Sequence, residues 1–143
     1  MNVVARDLLT PLGLRTLSPH DPRYRRRYEG GVNERDTAYH QGTVWPWLMG
    51  PFLKAYLRVN GRTAESVAQC KAWLDGFHAH LSNAGLGHIS EIADPEDGQQ
   101  PRGCIAQAWS VAELLRAAVE DVYQLHPAPE HAKSAPAPEF VLE

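Results

Sequence analysis

Apolar positions recur at helical spacing in three stretches of the chain. Over 44–59, Leu48, Phe52, Ala55, Tyr56 and Val59 share a face, Pro46 is tolerated in the first turn, and Asn60-Gly61 supplies the stop. Over 63–82, Val67, Cys70, Leu74, Phe77 and Leu81 form a second stripe, with Thr63, Glu65 and Ser66 as capping chemistry. Over 103–125, Ile105, Ala108, Ala112, Leu115, Val119 and Val122 predict a third buried face. Residues 1–9 can make at most a short helix before the Thr10-Pro11 and Leu12-Gly13 breaks. No stretch alternates with the two-residue period of a strand, so the expected fold is all-α.

Between these elements lie two irregular segments. Residues 10–43 are interrupted by Pro11, Pro19, Pro22, Gly30, Gly31 and Gly42, and so long an unstructured stretch in a compact domain usually lines a site. Residues 82–102 carry Glu91, Asp94, Glu96 and Asp97 among glycines. Beyond His126, prolines punctuate an alanine-rich stretch, which predicts a domain over 1–125 and a disordered tail over 126–143.

Composition narrows the class. The 143 residues are 43% hydrophobic and 22% charged, enough for one ordinary domain with a real core. A net charge of −3 disfavours a general nucleic-acid binder. The knot Arg23, Arg25, Arg26 and Arg27, interleaved with Tyr24, reads as a solvated loop rather than a nucleic-acid surface. Neither a membrane span nor a signal peptide is visible, so a cytoplasmic location is expected. Cys70 and Cys104 are expected to be buried free thiols.

The chemistry concentrates at Tyr39-His40-Gln41-Gly42-Thr43-Val44-Trp45-Pro46-Trp47. Flat aromatic faces stack on the C–H face of a sugar ring, and His and Gln bond its hydroxyls, although aromatics at this density can also be core. Glu91, flanked by Ile89 and Ile92, is either a tucked carboxylate suited to general base work or a plain capping or solvated Glu. Asp94-Pro95-Glu96-Asp97-Gly98 lacks the spacing of a calcium loop and reads as a solvated turn. His78 and His80, two apart on a helix, face different ways and make a poor metal pair. There is no nucleophile elbow and no phosphate-binding glycine loop.

These motifs resemble a known family. The Tyr39–Trp47 stretch followed by Gly50-Pro51-Phe52 is similar to the C-terminal glucosidase domain of glycogen debranching enzymes. Leu12-Gly13-Leu14-Arg15-Thr16-Leu17-Ser18, Arg35-Asp36, Gly87-His88-Ile89-Ser90-Glu91-Ile92, and Pro101-Arg102-Gly103-Cys104 with Ala106-Gln107-Ala108-Trp109-Ser110 agree in the same order. The resemblance implies the C-terminal portion of an (α/α) six-hairpin barrel. It also implies hydrolysis, with inversion, of α-1,6-linked glucosyl stubs of glycogen or limit dextrin, without a cofactor or a metal.

By the resemblance, Glu91 takes the place of the catalytic general base. His40, Gln41 and Trp45 take the pocket wall, with Tyr39 beside them. Gln107 and Trp109 open the last helix toward the pocket, though Trp109 also suits a core anchor. Asp36 either binds substrate or pairs with Arg35, and Trp73 reads as core. The family's general acid, an Asp in a Trp-rich stretch, finds no counterpart here. Three helices cannot close such a ring, so apolar faces are expected to stay uncovered, to be met by an upstream segment of the enzyme or by a second copy. A non-catalytic glucan-binding module and a helical interaction module are the alternatives.

Overall fold

The computed structural model describes residues 1–83, 85–96 and 98–125. The expected tail over 126–143 lies outside the described residues. The fold is helix-rich but not all-α. Five short strands, β1 (Leu9–Thr10), β2 (Gly13–Arg15), β3 (Val44–Trp45), β4 (Ile92–Ala93) and β5 (Pro101–Arg102), form one antiparallel sheet in sequence order. Leu14 pairs with Trp45, Val44 with Ala93, and Ile92 with Arg102. Strands of two or three residues are too short to display a two-residue period, which is why the sequence pattern missed them.

Among the described residues, the α-helices are α1 (Asn2–Asp7), α2 (Val32–Tyr39), α3 (Met49–Asn60), α4 (Ala64–Asp75), α5 (His78–Asn83) and α6 (Ala108–Arg116). The expected helix over 44–59 starts late: Val44 and Trp45 are sheet, and Pro46–Leu48 make one 3-10 turn before α3. Pro46 lacks an N–H and so suits a first turn. Gly61, at φ +75°, stops α3 as the Asn60-Gly61 pair predicts. The stretch read as one helix over 63–82 divides at Gly76 into α4 and α5. A Cβ on Gly76 would lie 3.0 Å from the Pro11 carbonyl oxygen, so glycine lets the β1–β2 turn press against this break. Thr63 caps α4 as expected, accepting the Ser66 N–H at 3.2 Å, a contact generally worth about 1 kcal/mol.

The core joins α3, α4, the α5 entry and α6 through Met49, Phe52, Leu53, Cys70, Phe77 and Leu114. Trp73 packs partly buried against Phe52 and Tyr56, as its core assignment requires. Val59, expected on the buried face of α3, is exposed, and Leu53 and Leu57 are buried instead.

The third stripe departs further from expectation. The helix begins at Ala108 and buries Ser110 and Leu114, and its π-helical continuation Ala117–Val122 buries Ala117 and Val122. Ile105 and Leu115 are 70% and 62% exposed. The buried face of α6 includes Ser110 and runs on to the small Ala117, while Leu115 lies on the apolar arc, so apolar spacing alone pointed to the wrong face. The uncovered apolar surface itself agrees with the expectation for this segment. Among the described residues, no helix is long and apolar enough to cross a membrane.

Candidate functional site

Glu91 stands one residue before β4, at the end of the β4–β5 ladder. Its N–H donates to the Cys104 carbonyl at 2.9 Å, and the Cys104 N–H donates back to Glu91 Oε2 at 2.9 Å. Gly103 makes this exchange feasible. It sits at φ +66°, and a Cβ there would lie 2.5 Å from Glu91 Oε2. The flanking Ile89 and Ile92 are 5% and 0% exposed and pin the backbone to the core. Apolar neighbours around Glu91 therefore signalled a tucked carboxylate correctly.

The other carboxylate oxygen is held from α2. Tyr39, the last residue of that helix, donates its hydroxyl to Glu91 Oε1. Tyr39 is in turn held by Trp45, whose indole Nε1–H donates to the Tyr39 carbonyl at 3.0 Å and whose ring lies 4.7 Å from the phenol. Burial alone would push the Glu91 carboxyl up. The bonds from the Tyr39 hydroxyl and from the Cys104 N–H and thiol outweigh it and hold the carboxyl below the usual range. Burial first, then the bond to Glu91, raises the Tyr39 phenol well above its ordinary value. The pair is thus a phenol and a carboxylate at neutral pH. A carboxylate offers about four lone-pair positions, and these three donors leave one for a water.

Behind Tyr39, an aromatic wall continues through Trp45. His40 stacks on Trp45 at 5.5 Å with 8° between the planes. Trp109, half exposed at the start of α6, lies 5.9 Å from both Trp45 and Trp47. Trp109 is therefore part of the wall, not a core anchor. Gln41 contributes backbone instead: its carbonyl accepts the Arg25 N–H at 2.6 Å, and its side chain is partly buried. Gln107 donates its N–H to the Ile89 carbonyl, and its carboxamide oxygen accepts the Ala108 N–H, so it starts α6 and spaces it from Glu91. Asp36 is exposed on α2, one turn before Tyr39, with no ion pair to Arg35 among the described residues.

Sequence reasoning missed Tyr28 and the Cys104 contact as contributors, and it misread two environments. Tyr28, lost in the arginine-rich loop, lies with its ring 5.7 Å from that of Tyr39. Trp47 extends the wall, and Cys104 supplies the N–H to Glu91. Cys104 is exposed, not buried; Cys70 alone is the buried thiol. Asp94 is not a solvated turn residue. It is 4% exposed, accepts the Tyr28 N–H at 2.7 Å, and takes Arg102 Nε and Nη2 at 2.9 and 2.8 Å. His78 is exposed and His80 buried, so they do face apart.

Comparison with known proteins agrees with this geometry. A glycogen debranching enzyme of Saccharomyces cerevisiae is 42% identical over 124 residues, covering 73% of this chain. The chain spans about 8% of the length of that relative. The family profile described as Amylo-alpha-1,6-glucosidase matches residues 1–116, which take in Glu91, its Tyr39 and Cys104 donors and the aromatic wall. The match runs through every element that builds the site, and the chain belongs to the amylo-alpha-1,6-glucosidase family.

Proposed function

We propose that this chain forms the general-base side of an inverting glucosidase site that removes α-1,6-linked glucosyl stubs from glycogen or limit dextrin. The observation that carries the proposal is the Glu91 carboxylate, fixed by Tyr39 and Cys104 beside the wall of His40, Trp45, Trp47 and Trp109. Glu91 takes a proton from a water, which attacks the anomeric carbon opposite the leaving oxygen. A second carboxyl group, typically ~6.5–9.5 Å away, protonates that oxygen. The wall holds the departing glucose by its C–H faces, with His40, Gln41 and Asp36 near its hydroxyls.

Among the described residues, the hairpin carboxylates Asp94 and Glu96 are not assigned as the acid. Asp94 is occupied by Tyr28 and Arg102, and Glu96 by the Tyr24 hydroxyl. It is expected from another part of the debranching enzyme, whose further helices would complete the (α/α) barrel over the uncovered Ile105 and Leu115. The proposed chemistry uses no cofactor, and a cytoplasmic location is part of the proposal.

The test is glucose release from an α-1,6-glucosyl-branched dextrin, by this chain alone and joined to the upstream region of a family enzyme. Glu91→Gln should lower release about 10²–10⁴-fold with glucan affinity retained. Glu91→Ala with added azide should yield the β-glucosyl azide, because azide needs no base. Undiminished release from Glu91→Gln, or α-glucose as the first-formed product, would refute the assignment.

A further inference from the structure

A second cavity lies at the opposite end of the β4–β5 hairpin from Glu91. It has a volume of about 600 Å³, opens to solvent and is bordered by the β1–β2 turn, the α4–α5 junction and the hairpin tip. That volume falls within the ~300–1,000 Å³ range usual for small-ligand sites. Its polar groups are His80 and Asn83 of α5 with Gln99 and Gln100 of the tip, and Leu12 and Pro101 supply apolar surface. Among the described residues, no charged side chain lines it.

Two of these polar groups are prepared for a ligand. Gln99 Oε1 accepts the Leu12 N–H at 3.1 Å, which fixes the carboxamide, while its Nε2 is buried without a partner. A buried donor left unpaired is costly, and a ligand oxygen that met it would relieve that cost. Gln99 also holds a φ of +52°, an uncommon conformation for a side-chain-bearing residue. His80, 5% exposed, accepts the Ser90 N–H on Nε2 at 3.1 Å, so the neutral ring carries its proton on Nδ1 as a second donor. Burial holds this imidazole below its ordinary value, which keeps it neutral.

We infer that this cavity is a second carbohydrate subsite, taking a neutral glucosyl segment of an α-glucan away from the hydrolytic centre. Carboxamides and a neutral imidazole match hydroxyls, which both donate and accept. An anion would find no cation here, and a cation no carboxylate, among the described residues. Aliphatic patches from Leu12 and Pro101 suit the C–H faces of the sugar. The choice of an α-glucan rests on the proposed glucosidase reading; the preference for a neutral polyol rests on the cavity alone. Ser90, whose N–H bonds His80, directly precedes Glu91, so a sugar held here anchors the polymer beside the segment that carries the base.

The experiment is a maltotriose titration of the ¹⁵N-labelled chain. Two groups of signals are followed: the side-chain amides of Asn83, Gln99 and Gln100, and the indole N–H signals of Trp45, Trp47 and Trp109. Both groups are expected to shift, with separate saturation curves. Asn83→Ala combined with Gln100→Ala, both at exposed positions, should weaken the response of the remaining Gln99 carboxamide about tenfold and leave the indole response unchanged. Indole shifts with silent carboxamides would overturn the second subsite and spare the active-site reading. Carboxamide shifts with silent indoles would support the subsite and count against the active-site wall. Silence from both groups would overturn both.

Discussion

Tyr39 and Glu91 are 52 positions apart in the chain, and the hydroxyl of one donates to the carboxylate of the other. The bond joins the end of α2 to the residue before β4 and sets the direction of the Glu91 carboxylate. It also sets its charge. Without the Tyr39 and Cys104 donors, the burial at this position would favour the neutral acid.

Replacing Tyr39 by Phe therefore raises the Glu91 pKa and moves the acid limb of the pH–rate profile upward. The linkage has a definite sign. The Glu91 pKa is depressed in the folded chain, so its contribution to stability is present above the unfolded value and lost as pH falls through the folded one. Tyr39→Phe should flatten that acid loss. A ¹³C titration of the Glu91 carboxyl reads the shift directly, and an unmoved titration would remove Tyr39 from the role of positioning the base.

Gly103→Ala separates backbone strain from displacement of the carboxylate. Gly103 and Gly87 both have positive φ, +66° and +93°, but a Cβ at Gly87 meets nothing within 4 Å. Each alanine should cost of order 1–3 kcal/mol in denaturant unfolding from strain. Only Gly103→Ala pushes on Glu91 Oε2, so it alone should also reduce glucose release, by tenfold or more on the order of 1.4 kcal/mol. Equal losses of release in both variants would refute the steric argument.

His80 predicts an acid weakness near the same loop. Its folded pKa is lowered by burial, and its Nε2 must stay unprotonated to accept the Ser90 N–H. The neutral form's stabilisation is complete above the unfolded value of about 6.5 and is lost as pH falls below it toward the folded value. The melting temperature should drop between neutral pH and pH about 5, and His80→Gln, which keeps an acceptor but does not titrate, should show a shallower drop. Parallel curves for the two proteins would exclude His80 as the cause.

Legibility in the sequence followed the length of the element. α3 and α4 were readable because two or three turns of apolar spacing and a capping Thr63 or stopping Gly61 reinforce one another. The sheet was not, since its strands pair residues such as Leu14 with Trp45 that lie 31 positions apart and are individually too short for a pattern. Glu91 and the Tyr39–Trp47 wall were visible as residue types and by resemblance. The Tyr39 and Cys104 contacts to Glu91 were not, because both depend on how a loop and a hairpin meet in space. Asp94 was misread for the same reason: an acidic residue before Pro95 looks like a turn until Arg102 and Tyr28 close around it.

Asp94 carries the last prediction, because it ties the arginine-rich loop to the hairpin and so fixes what stands behind Tyr39. Its carboxylate accepts the Tyr28 N–H on one oxygen and Arg102 on the other, and the Tyr28 ring rests against Tyr39. Asp94→Asn keeps the size but replaces one acceptor oxygen by a donor. Arg102 is about one-third exposed, so solvent recovers part of the loss, and the cost should be about 1–3 kcal/mol rather than that of a fully buried pair. A change confined to stability would mean that the tie is local. If the tie also positions the base, the Glu91 titration should move upward in Asp94→Asn by less than in Tyr39→Phe. The two substitutions combined should then shift it no further than Tyr39→Phe alone, because both act through the same hydroxyl. An additive shift in the double variant would show that Asp94 reaches Glu91 by some route other than Tyr28 and Tyr39.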